Sequence, residues 1–340
     1  MRVQDGKHMD DNGRPAEAPQ STSRSSRLVL AIRFLLLAAA VVLGVYAIAR
    51  DADGFVSAVT DIGTLRAFAA FLCIGAGLLA SAETWRTAVA ATSGPVPRRA
   101  GRQVFFVTQL GKYLPGAVWT VVGQVDAAKR LSLSRSHMAL GAVLFIVLHV
   151  LTGLLVAALL LPVTAPDVMR TYTWAFALVP LLLVAMLPRV LSRTMDVALR
   201  VVGQARLSAP LGARDVLVPS AWLLLTWSAF GLALTIVAEP LAAHTGFVQL
   251  IGISTGAFGL AWAVGVLVVP APAGVGVREV VLFLALAPIL GATEATSVAI
   301  LTRVLHTAAD LGLPMAVTLT HALPARRRVH VTPRTRRRRR

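Results

Sequence analysis

The sequence predicts an all-α polytopic membrane protein, and three observations predict it. Hydrophobic residues make up 56% of the 340 and charged residues 14%, where a soluble domain carries about a quarter charged residues. Mean hydropathy is +0.72. The apolar residues fall in blocks of about 20, the length that crosses a hydrocarbon core.

Residues 1–27 are polar, rich in Ser, Asp, Arg and Pro, and lack the period of a packed element. They read as a disordered cytoplasmic tail. The next block carries Arg33 and has no small-residue cleavage site behind it, so it reads as a retained first span at 28–49 and not as a signal peptide. Further spans are predicted at 65–85, 138–161, 172–187, 217–238 and 293–320. Two broken apolar tracts, 104–125 and 249–290, lie between them. The membrane domain thus covers 28–320, and 321–340 form a basic tail.

The +17 net charge is concentrated in short loops and in nine arginines after Ala325. Beside membrane spans, such charge fixes topology and meets anionic lipid heads; no nucleic-acid partner is expected. The stretches VPRRAGRQ (96–103), DAAKRLSLSR (126–135) and PRVLSRTMDVALRVVGQAR (188–206) are basic. DADGFVSAVTD (51–61) is acidic and PVTAPDVMR (162–170) nearly neutral. By the positive-inside rule the basic loops and both termini are cytoplasmic.

Tract 104–125 then has cytoplasmic loops on both sides and must enter and leave on one face. At its centre stands KYLPGAVW (112–119), whose Pro-Gly pair breaks a helix. A re-entrant hairpin of two half-helices is expected, tolerated at membrane depth only beside protein or a wet cavity.

The second half repeats the first. Pro115 and Pro272 are 157 residues apart, and VLH occurs at 147–149 and 304–306, at the same offset. Shifted by 157, span 65–85 falls on 217–238 and span 138–161 on 293–320. Repeat 1 covers about 28–161 and repeat 2 about 172–320. Three spans plus a same-side hairpin are an odd number of crossings, so the second copy is expected to be inverted, as in secondary transporters. Tract 249–290 is either a second hairpin or two short spans. The prediction is therefore six to eight transmembrane helices with one or two re-entrant or broken hairpins.

Four clusters carry candidate chemistry. Lys112, Pro115 and Gly116 place a cation beside a helix break whose free N–H groups attract phosphate or carboxylate; a snorkelling lysine beside a structural kink is the competing reading. In VPAPAGVGVREV (269–280), Gly274 and Gly276 break the helix just before Arg278 and Glu279. Charges that deep face an interior or a cavity. In LTRVLHTAADLG, Arg303, His306 and Asp310 share one helix face, where they can pair with one another. Glu83 with Arg86, and His149 alone, read more simply as an anchor and a helix contact, and Tyr113 and Trp119 as packing or interface residues.

The single cysteine, Cys73, excludes an intramolecular disulfide. No nucleophile elbow, Walker loop or HExxH is present. G-V-G-V-R-E follows no strand and lacks the third glycine of a dinucleotide loop. No catalytic residue, metal or cofactor is expected, and the chain is not expected to be an enzyme.

KYLPGAVWTVVGQVDAAKR, APAGVGVREVVLFLAL and ILTRVLHTAADLGL resemble the flippase-like transmembrane region of the lysylphosphatidylglycerol synthase family over about 28–320. The resemblance implies a bacterial inner-membrane domain with broken helices that moves lipids between leaflets. It carries Gly274, Gly276, Arg278, Glu279, Arg303 and Asp310 onto the polar motif of the second half, and Pro115 and Gly116 onto the Pro-Gly turn. Many relatives place Gly-Glu soon after that turn, where this chain reads Val-Trp-Thr. With only 321–340 after the last span, a stand-alone member without the lysine-attaching domain is expected.

The resulting expectation is a transporter of an anionic phospholipid or polyprenyl-phosphate-linked envelope precursor. Lys112, Arg278 and Arg303 would meet the phosphate. Glu279, His306 and Asp310 would hold those cations in the empty site, with His306 able to respond to pH. The alternative is a non-transporting scaffold of envelope polymer synthesis, partnered by glycosyltransferases.

Overall fold

The computed structural model describes residues 52–113, 119–164, 176–201, 209–268 and 274–322, with Ala49 and Trp174. Among the described residues there are ten α-helices and no strand. They are α1 (Ala52–Ser93), α2 (Arg98–Gln109), α3 (Trp119–Ala127), α4 (Arg135–Thr164) and α5 (Leu178–Ala185). After these come α6 (Pro188–Val201), α7 (Ala213–Ala238), α8 (Phe247–Leu267), α9 (Val277–Leu290) and α10 (Ala292–Ala322). The predicted first span apart from Ala49, residues 1–27 and 323–340 of the tails, and Pro115, Gly116 and Pro272 lie outside the described residues.

Among the described residues, four helices are long and apolar enough to cross a membrane: α1, α4, α7 (continued by a 3-10 turn to Leu241) and α8. A fifth arises if α5 and α6, bent by 67°, are taken as one span. α10, at 31 residues, has the length, but Glu294, Arg303, His306 and Asp310 dilute its apolar content. The predicted span at 172–187 lies partly outside the described residues. Its described helix, α5, is 8 residues, ~12 Å at 1.5 Å per residue and too short to cross alone.

Several segments read as loops are helical. Residues 52–61 of the acidic stretch form the start of α1, which is interrupted at Gly63 (φ 73°) before the predicted span. The basic stretch 188–206 begins with α6, an amphipathic helix that buries Leu191, Met195 and Leu199 at four-residue spacing while Arg189, Arg193 and Arg200 stay partly or fully exposed. That pattern suits a helix lying in a membrane interface. Charge density marked it as a loop, whereas the spacing of its three apolar residues determines its structure.

α2 and α3 form a helical hairpin. Gly111 packs against the backbone at Trp119 and Thr120, and Gly123 against Thr108, so the two arms run antiparallel. Tract 249–290 holds two helices, α8 and α9, on either side of residues outside the described ones. α8 has 21 residues (~31 Å) and α9 has 14 (~21 Å), one arm of spanning length and one short of it.

Bare backbone sets the closest helix contacts. α1 packs on α7, α4 on α8, α1 on α4 and α10, and α2 on α10. At the α4–α8 crossing, Gly153 and Gly259 face each other, and a Cβ on either would stand 2.8 Å from the other's carbonyl oxygen. Small residues of this kind let membrane helices approach and gain dispersion contacts in a solvent that supplies no hydrophobic drive. Gly259→Val is therefore expected to destabilise the protein by about 1–3 kcal/mol through overpacking, read as a lower melting temperature in detergent.

Candidate functional site

A cavity of about 220 Å³ opens between the α2–α3 hairpin, α4, α8, α9 and α10. The two helix breaks supply Lys112, Arg278 and Glu279, and α10 supplies Arg303 and Asp310. Lys112 and Tyr113 close the 3-10 turn after α2, and both reach across to α10. Lys112 Nζ lies 2.6 Å from Asp310 Oδ2, and the Tyr113 hydroxyl donates to the same oxygen at 2.7 Å.

At the second break the glycines have separate jobs. Gly276 (φ 84°) is the N-cap of α9 and Gly274 has φ 68°, a region that costs other L-residues about 1–2 kcal/mol. The Gly276 N–H donates to Glu279 Oε2 at 2.6 Å, so the carboxylate folds back onto the start of its own helix, where the dipole favours it. Its other oxygen lies 3.4 Å from Arg303 Nε. Gly265 and Gly274 make room for Arg278: a Cβ on Gly265 would stand 3.0 Å from its Cγ, and one on Gly274 2.9 Å from its Nε. The guanidinium faces the Trp262 ring at 5.6 Å, within cation–π range.

Charge pairing is uneven. Lys112 has Asp310 and Arg303 has Glu279. Arg278 has no carboxylate within 4 Å among the described residues, and its buried Nε has no hydrogen-bond partner. Three cations against two carboxylates leave a formal charge of +1 in the cavity (3 − 2 = 1).

Aromatic rings line one side. His149 packs against Phe145, Trp227 and Trp262 at centroid distances of 4.2, 5.6 and 4.5 Å. His306 lies between Phe230 and Phe258 at 5.0 and 4.9 Å. The two histidines of the repeated VLH thus meet one aromatic cluster, joined through Trp227 and Phe230 at 6.4 Å. His149 is within hydrogen-bond distance of Ser81 Oγ at 3.3 Å and of the Phe145 carbonyl at 3.2 Å, a helix contact as well as a lining residue.

The expected residues Lys112, Gly274, Arg278, Glu279, Arg303, His306 and Asp310 all line this cavity, with Gly276 capping the helix beside it. Pro115 and Gly116 lie outside the described residues. Asp310, expected to pair along its own helix, pairs across to the hairpin. Tyr113 was expected to be a packing or interface residue and is instead a ligand of Asp310. Trp262, Gln124 and Thr302 line the site without any sequence signal that singles them out.

A second charge cluster lies outside the cavity. Glu83 is 2% exposed and binds Arg86 at 2.7 Å, Arg102 at 2.9 Å and Arg98 at 3.7 Å. The arginines come from α1 and from the start of α2, so this carboxylate pins the hairpin's entry. The sequence shows only its i,i+3 pairing with Arg86.

The family model described as the lysylphosphatidylglycerol synthase TM region matches residues 27–313, which include every lining residue of the cavity. The chain belongs to that family. Membership and the apolar helices together make it a multi-pass membrane protein with a lipid- or envelope-related function. No curated protein matched the chain. The family match covers both helix breaks and their paired charges, so the cavity belongs to the family's domain.

Proposed function

We propose that this protein moves an anionic lipid, a phospholipid or a polyprenyl-phosphate-linked envelope precursor, between leaflets of the bacterial cell membrane. The observation that carries the reading is Arg278: a cavity-lining cation with no carboxylate partner among the described residues, in a site of formal charge +1. Leaving a buried charge uncompensated costs several kcal/mol, and a phosphate group supplies the missing anion with charge-assisted hydrogen bonds. A cavity of about 220 Å³ is below the ~300–1,000 Å³ of drug-sized pockets. It holds a head group, and the acyl or prenyl chains stay in lipid.

Two further features support transport. Shifted by 157, α1 falls on α7, α2 on the end of α8, α3 on α9 and α4 on α10. The packing partners exchange in the same way: α4 on α8 answers α10 on α2, and α1 on α10 answers α7 on α4. Arg66 meets Glu239 while Gly77 meets Phe230, so the equivalent helices α1 and α7 run antiparallel, as inverted copies require. In this reading the hairpin α2–α3 is re-entrant from the cytoplasm, and both termini are cytoplasmic. The lipid is carried, not chemically altered, and no cofactor is assigned.

The test is translocation in proteoliposomes. Labelled phosphatidylglycerol is expected to exchange between leaflets faster than labelled phosphatidylcholine, and faster than in protein-free vesicles. Rates equal to those of empty vesicles for every anionic lipid tried, with stable co-purification of a glycosyltransferase, would establish the scaffold reading instead.

A further inference from the structure

The unpartnered polar atoms of this cavity are of two kinds, and phosphate satisfies only one. Among the described residues, four of those lining it carry a buried side-chain atom without a hydrogen-bond partner: Arg278 Nε, Thr302 Oγ1, Gln124 Oε1 and His306 Nε2. Gln124 and Thr302 are each 2% exposed. The Arg278 nitrogen is a donor, and the Thr302 hydroxyl serves either way. His306 Nδ1 lies 3.0 Å from the Thr302 carbonyl, which fixes the proton on Nδ1 of the neutral ring and leaves Nε2 as an acceptor. The Gln124 oxygen is a second acceptor.

The oxygens of a phosphodiester carry no hydrogen and cannot serve two acceptors. The partner must bring its own donors, from hydroxyls or from an ammonium. An ammonium fits poorly, because both carboxylates are committed: Asp310 to Lys112 and Tyr113, Glu279 to Arg303 and the Gly276 N–H. It would add positive charge to a site that already carries +1. Uncharged hydroxyls meet both acceptors without that cost.

We infer that the cavity selects a phosphate head bearing a hydroxylated group, a sugar or polyol, over bare phosphate and over an ammonium-bearing phosphate. This deepens the proposed function and rests on its anion site. Arg278 takes the phosphate, while His306 and Gln124 accept from hydroxyls on the substituent. The acceptors belong to opposite halves of the chain, Gln124 on α3 and His306 on α10, so selection draws on both halves.

The test uses the purified full chain in nanodiscs, with binding of myo-inositol 1-phosphate, inorganic phosphate and phosphoethanolamine measured by calorimetry. Inositol phosphate is expected to bind at least about tenfold more tightly than either of the others. Gln124→Leu and His306→Phe, on different helices, are each expected to shrink that preference toward unity. Equal affinity for all three probes in the wild type would overturn the inference and leave the anion site standing. A preference that survives both substitutions would overturn it as well, and failure of every probe to bind would remove the anion site itself. Nanodiscs containing phosphatidylinositol, compared with phosphatidic acid, separate the sources: a lipid-borne head displaces inositol phosphate, and a free solute persists beside either lipid.

Discussion

Arg278→Ala is expected to slow anionic-lipid translocation about ten- to a hundredfold while leaving the melting temperature nearly unchanged. Hydrogen bonds to charged groups contribute about 1.5–3 kcal/mol, and each ~1.4 kcal/mol is a factor of ten. The usual penalty for deleting a buried ion does not arise, because no carboxylate within 4 Å loses a partner among the described residues. Arg278→Lys separates charge from shape. It keeps the cation but lacks the planar fork that stacks on Trp262, so an intermediate rate is expected. Wild-type rates from the alanine variant in reconstituted vesicles would eliminate Arg278 as the lipid's counter-ion.

Glu83→Ala is expected to act in the opposite sense, on stability before transport. Removing one partner of a buried ion pair costs about 3–5 kcal/mol. Arg98 and Arg102 have side chains 72% and 41% exposed and can turn to water, whereas Arg86 is only 18% exposed. The low end, about 3 kcal/mol, applies. The measurement is thermal unfolding in detergent, supported by the yield of monodisperse protein. Because α2 starts among these arginines, the hairpin should also become more accessible to protease near residues 94–103. An unchanged melting temperature would mean that the cluster does not hold the hairpin.

Glu83 also shows where sequence reading stops. Spacing along one helix reveals neighbours at i+3 and i+4, so Arg86 was visible. Arg98 and Arg102 arrive from the next helix, and nothing in their order announces that convergence. The same holds for Lys112 with Asp310, 198 positions apart, and for Glu279 with Arg303. Each ion was legible as an ion too deep to be incidental, but its partner was not. The class of fold was readable because lipid demands long apolar blocks, and the glycine-rich break before Arg278 because only glycine takes φ 68° and 84° easily at 274 and 276. α6 was misread for the converse reason, since its arginines outweighed three apolar residues on one face. Tyr113, Trp262 and Gln124 carry no deep charge, and only the cavity gives them a role.

The unbalanced positive charge of the cavity has an electrical consequence. An empty site carries one elementary charge, and a site holding a singly charged phosphate diester carries none. A transmembrane voltage then does no net work on the loaded site as its position in the field shifts. On the empty site it exerts about 2.3 kcal/mol per 100 mV for a full crossing of the field. Under the proposed lipid transport, voltage would govern the return of the empty site and not the delivery of the lipid.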